Sequence, residues 1–284
     1  MNRWASQVSS VAKHPKSAQN FLPRNILILR HGRSLGNEDE TLFARMPDWK
    51  IPLSTEGRKQ AREAGTQIQS LVGKNAPLFF YVSPYRRTKE TFDEVRRNLT
   101  SSKILMTREE PRLREQDFGN FQNPALMQQA KAERVDFGRF FYRFPDGESG
   151  ADVFDRVAAF CGTFTTDAAQ MGRPDATAVF ITHGITARLF VKRWLHWSVD
   201  DFEQLHNPPN CGLLHLKRLD GADGTSVAYR LTRESRELIR APKETGIGRA
   251  LQLGEPLLEG RTAASSSRSN RETWESLSET AWGI

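Results

Sequence analysis

Cysteine is nearly absent from the chain: Cys161 and Cys211 are the two in 284 residues. They stand far apart, without metal-ligand spacing, so neither a disulfide framework nor a zinc ribbon is indicated and a reducing, cytoplasmic setting is expected. No apolar stretch approaches the roughly 20 residues needed to cross a bilayer, and the first 25 residues lack the apolar centre of a secretion signal. Acidic residues are missing from the start altogether, since Arg3, Lys13, Lys16, Arg24, Arg30 and Arg33 all precede the first acid, Glu38. A basic, serine-bearing beginning also suits an organelle transit segment, but no clear apolar face accompanies the charges. Residues 1–24 therefore read as a flexible basic arm.

Apolar periodicity is missing at the other end. From about residue 242 the chain runs through "GRTAASSSRSNRETWESLSET", rich in Ser, Arg and Glu. Such a stretch cannot bury enough apolar surface to offset its ordering entropy, so 242–284 reads as a disordered tail. The alternative is a docking segment anchored by Trp274, Leu277 and Trp282.

What is present between these ends is a regular alternation. The strand candidates are "NILIL" (25–29), "LFFYV" (78–82), "KILM" (103–106), "AVFIT" (178–182), "LLHLK" (213–217) and "VAYRL" (227–231). Amphipathic runs separate them, over 55–72, 84–98, 124–142, 150–169 and 185–197. In the first of these, Ala61, Ala64, Ile68 and Leu71 form one apolar stripe, and Ser54 or Thr55 is placed to cap it. This pattern predicts one α/β domain over 25–241, with a mainly parallel central sheet and helices on both faces.

The formal net charge is +7, which suits an anionic partner. Basic residues do not interleave with aromatics as a single-strand groove requires, which argues against nucleic acid. In an open parallel sheet, ligands bind beyond the carboxyl ends of the strands. Here the first strand runs directly into Arg30, His31 and Gly32, "LFFYV" into Ser83–Arg87, and "AVFIT" into His183 and Gly184. Two imidazoles and two guanidiniums delivered to one rim would be strongly unfavourable without an anion, so the cluster predicts a bound oxyanion, most economically phosphate.

"LRHGRSLGN" resembles the Arg-His-Gly signature of the histidine phosphatase superfamily, which includes cofactor-dependent phosphoglycerate mutases and many acid phosphatases. "PLSTEGRKQA" (52–61), "SPYRRTKET" (83–91), "LREQDFGNF" (113–121), "PDGES" (145–149) and "THG" (182–184) fall in the family's order. The resemblance covers about residues 25–220 and implies a phosphoglycerate mutase-like fold. It makes His31 the nucleophile that becomes phosphohistidine, and Arg30, Arg87 and His183 the holders of the phosphoryl oxygens. Gly184 and Asn37 fall beside the phosphate pocket, and Glu115 becomes the proton donor. No metal or other cofactor is implied.

The residue types suit that chemistry on physical grounds. Phosphoryl transfer spreads negative charge over three equatorial oxygens, which fixed guanidiniums stabilise. Their positive charge should keep His31 neutral, while His183, facing a phosphate dianion, should favour its charged form. Glu115 must protonate the leaving oxygen, which suits a carboxyl group raised in pKa by nearby phosphate.

"FGRFFYRFPDGESGADVFDRV" (137–157) looks more like the fungal and plant branch of broad-specificity acid phosphatases than like the mutases. Mutases continue Arg-His-Gly with Glu-Ser-x-Trp-Asn, where this chain has "RSLGN". The expected activity is hydrolysis of a phosphorylated small molecule. A mutase is the first alternative, and a phosphate-binding protein without turnover the second. Oligomeric state is left open. Arg33, Arg86, Arg139 and Arg143 read as solvated or locally paired, Trp194 and His196 as packing residues, and His206 and His215 as lacking metal-ligand spacing. Gly147, Glu148 and Ser149 read as a segment positioned near the site.

Overall fold

The computed structural model describes residues 21–119, 124–220 and 227–241, all within one compact unit. The tail at 242–284 and the first twenty residues of the basic arm lie outside the described residues. The last residues of the arm belong to the domain. Leu22 is buried in the core, the Arg24 amide donates to Pro174 O, and the Arg218 amide donates to Arg24 O.

All six expected strands form: β1 (Asn25–Arg30), β2 (Pro77–Val82), β3 (Lys103–Glu109), β4 (Thr177–Thr182), β5 (Leu213–Asp220) and β6 (Val227–Leu231). Their order is β3-β2-β4-β1-β5-β6. The pairs β3–β2, β2–β4 and β4–β1 are parallel, while β5 runs antiparallel to both β1 and β6. Every residue of β2 and β4 is buried. Covering on both faces explains why these two strands read as continuous apolar runs rather than as alternation. Edge strand β3 is largely exposed and carries Lys103, Arg108 and Glu109, charges that discourage pairing with another chain.

Helices cover both faces. Ile26, Ile28, Phe79, Tyr81, Ala178 and Phe180 point toward α5 (Gly150–Met171) and α6 (Gly184–Leu195). Leu27, Leu29, Leu78, Phe80, Val179 and Ile181 point toward α2 (Thr55–Val72) and α3 (Arg86–Arg97). On the first face Tyr81, Phe160, Phe164, Phe180 and Phe190 meet edge-to-face, tilted or, for Phe160 and Phe164, stacked, with centroids 5.0–6.3 Å apart. Each such pair adds about 0.5–1.5 kcal/mol beyond its area burial. The rim above the sheet therefore stands on a rigid base.

Three sequence expectations differ from the structure. Leu71 is 48% exposed, because α2 buries its stripe through Gly57, Ala61, Ala64, Gly65 and Ile68, nearer the middle of the helix. His196 is not in the helix interior: it ends α6 in the left-handed conformation (φ 55°) and lies exposed, whereas Trp194 is buried as expected. Predicted helix 124–142 stops earlier, as α4 (Pro124–Phe137), at Gly138 with φ 101°. The short helices α1 (Leu35–Glu38), α7 (Val199–Gln204) and α8 (Arg233–Leu238) were not anticipated, being too short to carry periodicity.

Candidate active site

The carboxyl ends of β1 and β4 lie side by side, with Arg30 opposite Thr182, and the ladder continues one step further as the His31 amide donates to Thr182 O (2.9 Å). This brings His31 and His183 together, with ring centroids 5.2 Å apart. Beyond β2, Ser83 and Tyr85 reach the same place: Ser83 Oγ is hydrogen-bonded with His183 Nε2 (2.8 Å), and the Tyr85 ring meets His183 edge-on at 5.0 Å. Helices α3 and α6 both start at this rim without a side-chain cap. Their free amides add positive potential there.

His31 is 3% exposed. Its Nδ1 lies 2.8 Å from the Gly32 carbonyl oxygen, which can only accept, so Nδ1 carries the proton and Nε2 is left with a lone pair. Burial, then the charges of Arg87 and Arg30, hold its pKa well below the ordinary histidine value. His183 behaves alike in the site without an anion. Burial first, then Arg87 and His31, keep it neutral. A bound dianion would oppose the cationic contributions. The Nδ1 atom of His183 is buried without a partner, 3.9 Å from Glu115 Oε2.

The loop after β1 is held by the segment that the sequence shows as "PLSTEG". The Ser54 amide donates to Arg33 O (2.8 Å), the Leu35 amide to Pro52 O (3.0 Å), and Ser54 Oγ caps α2 by accepting from the Gly57 amide (3.2 Å). Gly32 and Gly57 touch backbone to backbone. A Cβ on Gly32 would stand 2.5 Å from Gly57 O, and one on Gly57 would stand 2.0 Å from Arg33 O. The approach of α2 to the loop therefore requires glycine at both positions.

Arg30 donates through Nη1 to Pro208 O (2.7 Å), and its Nε is buried with no partner. Arg87 is 4% exposed and is gripped by Asp48: Nη1 donates to Oδ1 (2.7 Å) and to the backbone carbonyl (2.8 Å), and Nη2 donates to Oδ2 (3.3 Å). Sequence reading missed Asp48. A carboxylate that occupies a guanidinium fork in the way a phosphoryl group would is a stand-in for that group.

Glu115 sits in the loop after the 3-10 turn Pro111–Leu113. Burial raises its pKa, with Arg87 and Arg30 acting against that rise. The raised state thus exists before any phosphate arrives. The loop is fixed by Glu148, from "PDGES". This carboxylate accepts from Arg114 Nη2 (2.5 Å), from Arg156 Nε and Nη2 (3.0 Å each) and from the Asp117 amide (3.0 Å). Arg156 also donates to the carbonyls of Arg112, Arg114 and Glu115. Glu148 positions the Glu115 loop, and these contacts account for that motif's place in the sequence.

Asn37 closes a capping box with Ser34 and accepts from Asn210 Nδ2 (3.2 Å), which also donates to His31 O (3.2 Å). These contacts hold the loop after β1. Gly184 opens α6, where a Cβ would strike the Asn207 side chain at 2.5 Å. Residues 206–212, "HNPPNCG", are thus part of the site, although nothing in their sequence pattern advertised it. Arg33, Arg86 and Arg143 are paired with Glu38, Glu90 and Asp152, and Arg139 lies 3.7 Å from Glu203, in keeping with local pairing. His215 is bonded to Asn25.

The fold agrees with what comparison finds. The chain matches the histidine phosphatase superfamily (branch 1) over residues 26–230, and it belongs to that family. It is 45% identical over 207 residues to the phosphoglycerate mutase-like protein AT74H of Arabidopsis thaliana, covering 68% of this chain and 73% of the relative. It is 29% identical over 300 residues to the broad-range acid phosphatase DET1 of Saccharomyces cerevisiae, covering 74% of this chain and 90% of the relative. Among solved structures, a mycobacterial glucosyl-3-phosphoglycerate phosphatase in complex with VO3 superposes with a TM-score of 0.56 at 25% identity, covering 73% of this chain and 97% of that one. Among the described residues no helix is long and apolar enough to cross a membrane.

Proposed function

We propose that the chain is a phosphomonoester hydrolase of acid phosphatase type that works through a phosphohistidine on His31. The observation that carries this is the proton placement on His31: with Nδ1–H donated to Gly32 O, Nε2 presents its lone pair to the rim. Attack of Nε2 on phosphorus forms the N–P bond while the ester P–O bond breaks, and Glu115 gives its proton to the departing alkoxide. Arg30, Arg87 and His183 Nδ1 hold the equatorial oxygens. Water, deprotonated by Glu115, then attacks phosphorus and frees His31. The mutase-like name of the Arabidopsis relative supports transfer to a second substrate as the other reading. Release of inorganic phosphate in proportion to alcohol product supports hydrolysis; return of label to a second phosphoester supports the mutase.

The cycle requires His31 neutral and Glu115 protonated, and the two displaced pKa values set the sign of its pH dependence. His31 lies below its ordinary value, so neutrality is lost only in acid; Glu115 lies above its own, so its proton persists toward neutrality. The profile of kcat/KM is therefore a bell with an optimum below pH 7, whose limbs belong to the coupled set His31, His183 and Glu115. It is checked by measuring kcat/KM across pH on several esters with chelator present. An optimum well above neutrality, or loss of activity on chelation, counts against this mechanism.

Asp48 must release Arg87 before a phosphoryl group can take its place. Asp48→Asn removes the competing charge, so inorganic phosphate should inhibit with a Ki roughly 3- to 10-fold lower. The free variant should also melt lower, because Arg87 loses its counter-ion, and phosphate should raise its Tm more than it raises that of the parent. An unchanged Ki shows that Asp48 does not compete.

A further inference from the structure

Beside the histidines opens a cleft of about 430 Å³ whose walls include Phe43, Met46, Trp49, Tyr85 and Phe118. Three of these rings are fastened to the site. The Phe43 ring packs on the loop after β1 at Gly36, where a Cβ would come within 2.9 Å of it. The Tyr85 ring lies edge-on to His183 and 4.8 Å beneath the Arg87 guanidinium. Phe118 follows Glu115 on the same loop and is braced by Phe144 at 5.0 Å. Trp49, next to the Asp48 that grips Arg87, remains 53% exposed.

Acidic groups also line the cleft. Asp117 is one and Asp48 the other, its carboxylate freed when a phosphoryl group takes Arg87 from it, while the lining Arg45 is paired with Asp39 (3.2 Å). A leaving group protonated by Glu115 must extend from near that carboxyl, and the cleft begins two residues further along the Glu115 loop. Aromatic walls favour a planar apolar group by area burial and ring contact, while two carboxylates disfavour a second anion.

We propose that this cleft receives the alcohol portion of the substrate, and that the substrates are phosphomonoesters of neutral, ring-bearing alcohols rather than small esters carrying a second negative charge. The assignment rests on the phosphomonoesterase reading. It also fixes Phe43, Trp49 and Phe118 as specificity residues, which touch the alcohol and not the phosphoryl group.

The test separates binding from turnover. Binding of phenethylphosphonate, propylphosphonate and 3-phosphonopropanoate to the full chain is measured by calorimetry, with hydrolysis of phenethyl and propyl phosphate, esters of similar leaving-group basicity, measured alongside. The phenethyl compound should bind about tenfold more tightly than the propyl one, and the carboxylate-bearing one several-fold more weakly, roughly. Phe43→Ala and Trp49→Ala, each checked for folding by thermal unfolding, should reduce the phenethyl preference to within about threefold. Equal affinities in the parent, or a preference that survives both substitutions, overturn the cleft assignment. A binding preference without hydrolysis leaves the cleft standing and removes the phosphomonoesterase reading; hydrolysis without preference does the reverse.

Discussion

His31→Ala lowers turnover of phosphomonoesters by about three orders of magnitude or more. The fold should survive the change, because the His31 side chain's hydrogen bond goes to the carbonyl of the next residue. What is lost is the lone pair at Nε2, and no other group at the rim can replace it. The His183 ring lies 5.2 Å away, but its Nε2 is hydrogen-bonded with Ser83 and its Nδ1 is the atom assigned to hold a phosphoryl oxygen. In the parent protein, rapid quenching should trap phosphate on the chain in an acid-labile, alkali-stable form. Near-normal activity in the variant, or no trapped phosphate in a single turnover, removes His31 from the mechanism.

Glu115→Gln lowers kcat by roughly 10²- to 10⁴-fold on esters with poor leaving groups. The amide keeps the shape and can still accept from the Gln116 amide, a contact that Glu115 Oε1 makes at 3.1 Å. It cannot deliver a proton to the alkoxide. A nitrophenolate departs without one, so in single-turnover phosphorylation the defect should shrink on nitrophenyl phosphate. Equal losses on both esters exclude Glu115 as the donor. The same substitution should flatten the alkaline limb of the pH profile, since burial is what lifts this carboxyl group.

The strands were readable because a buried parallel strand leaves an unbroken apolar run, and β2 and β4 are buried along their whole length. His31 and His183 were readable as a pair because strand ends in such a sheet converge. Asp48 was not readable. It lies on a 3-10 turn of three residues, with no periodicity, and its partner Arg87 is distant in sequence. Asn207 and Asn210 escaped for another reason: the rule that sites follow parallel strands does not extend to residues that precede an antiparallel one. The charge state of His183 was read for the site with its anion bound. Without it, burial and neighbouring cations act in the same direction.

The reversed direction of β5 sets an order in time. Because β5 runs opposite to β1, its beginning, not its end, lies at the rim, so residues 206–212 enter the site on their way into the sheet. β1 is made long before its hydrogen-bonding neighbours, which start at Thr177 and Leu213. Until residues 210 and 211 have been synthesised, the His31 carbonyl lacks the amides of Asn210 and Cys211 that later fix it. Pairings between distant parts of a chain form slowly and leave apolar strands uncovered while they wait. A nascent chain halted before Asn207 would therefore carry Arg30, His31, Arg87, Glu115 and His183 but lack the Pro208, Asn210 and Cys211 groups that hold Arg30 and His31 in place, so the rim is completed only when the segment leading into β5 has been made.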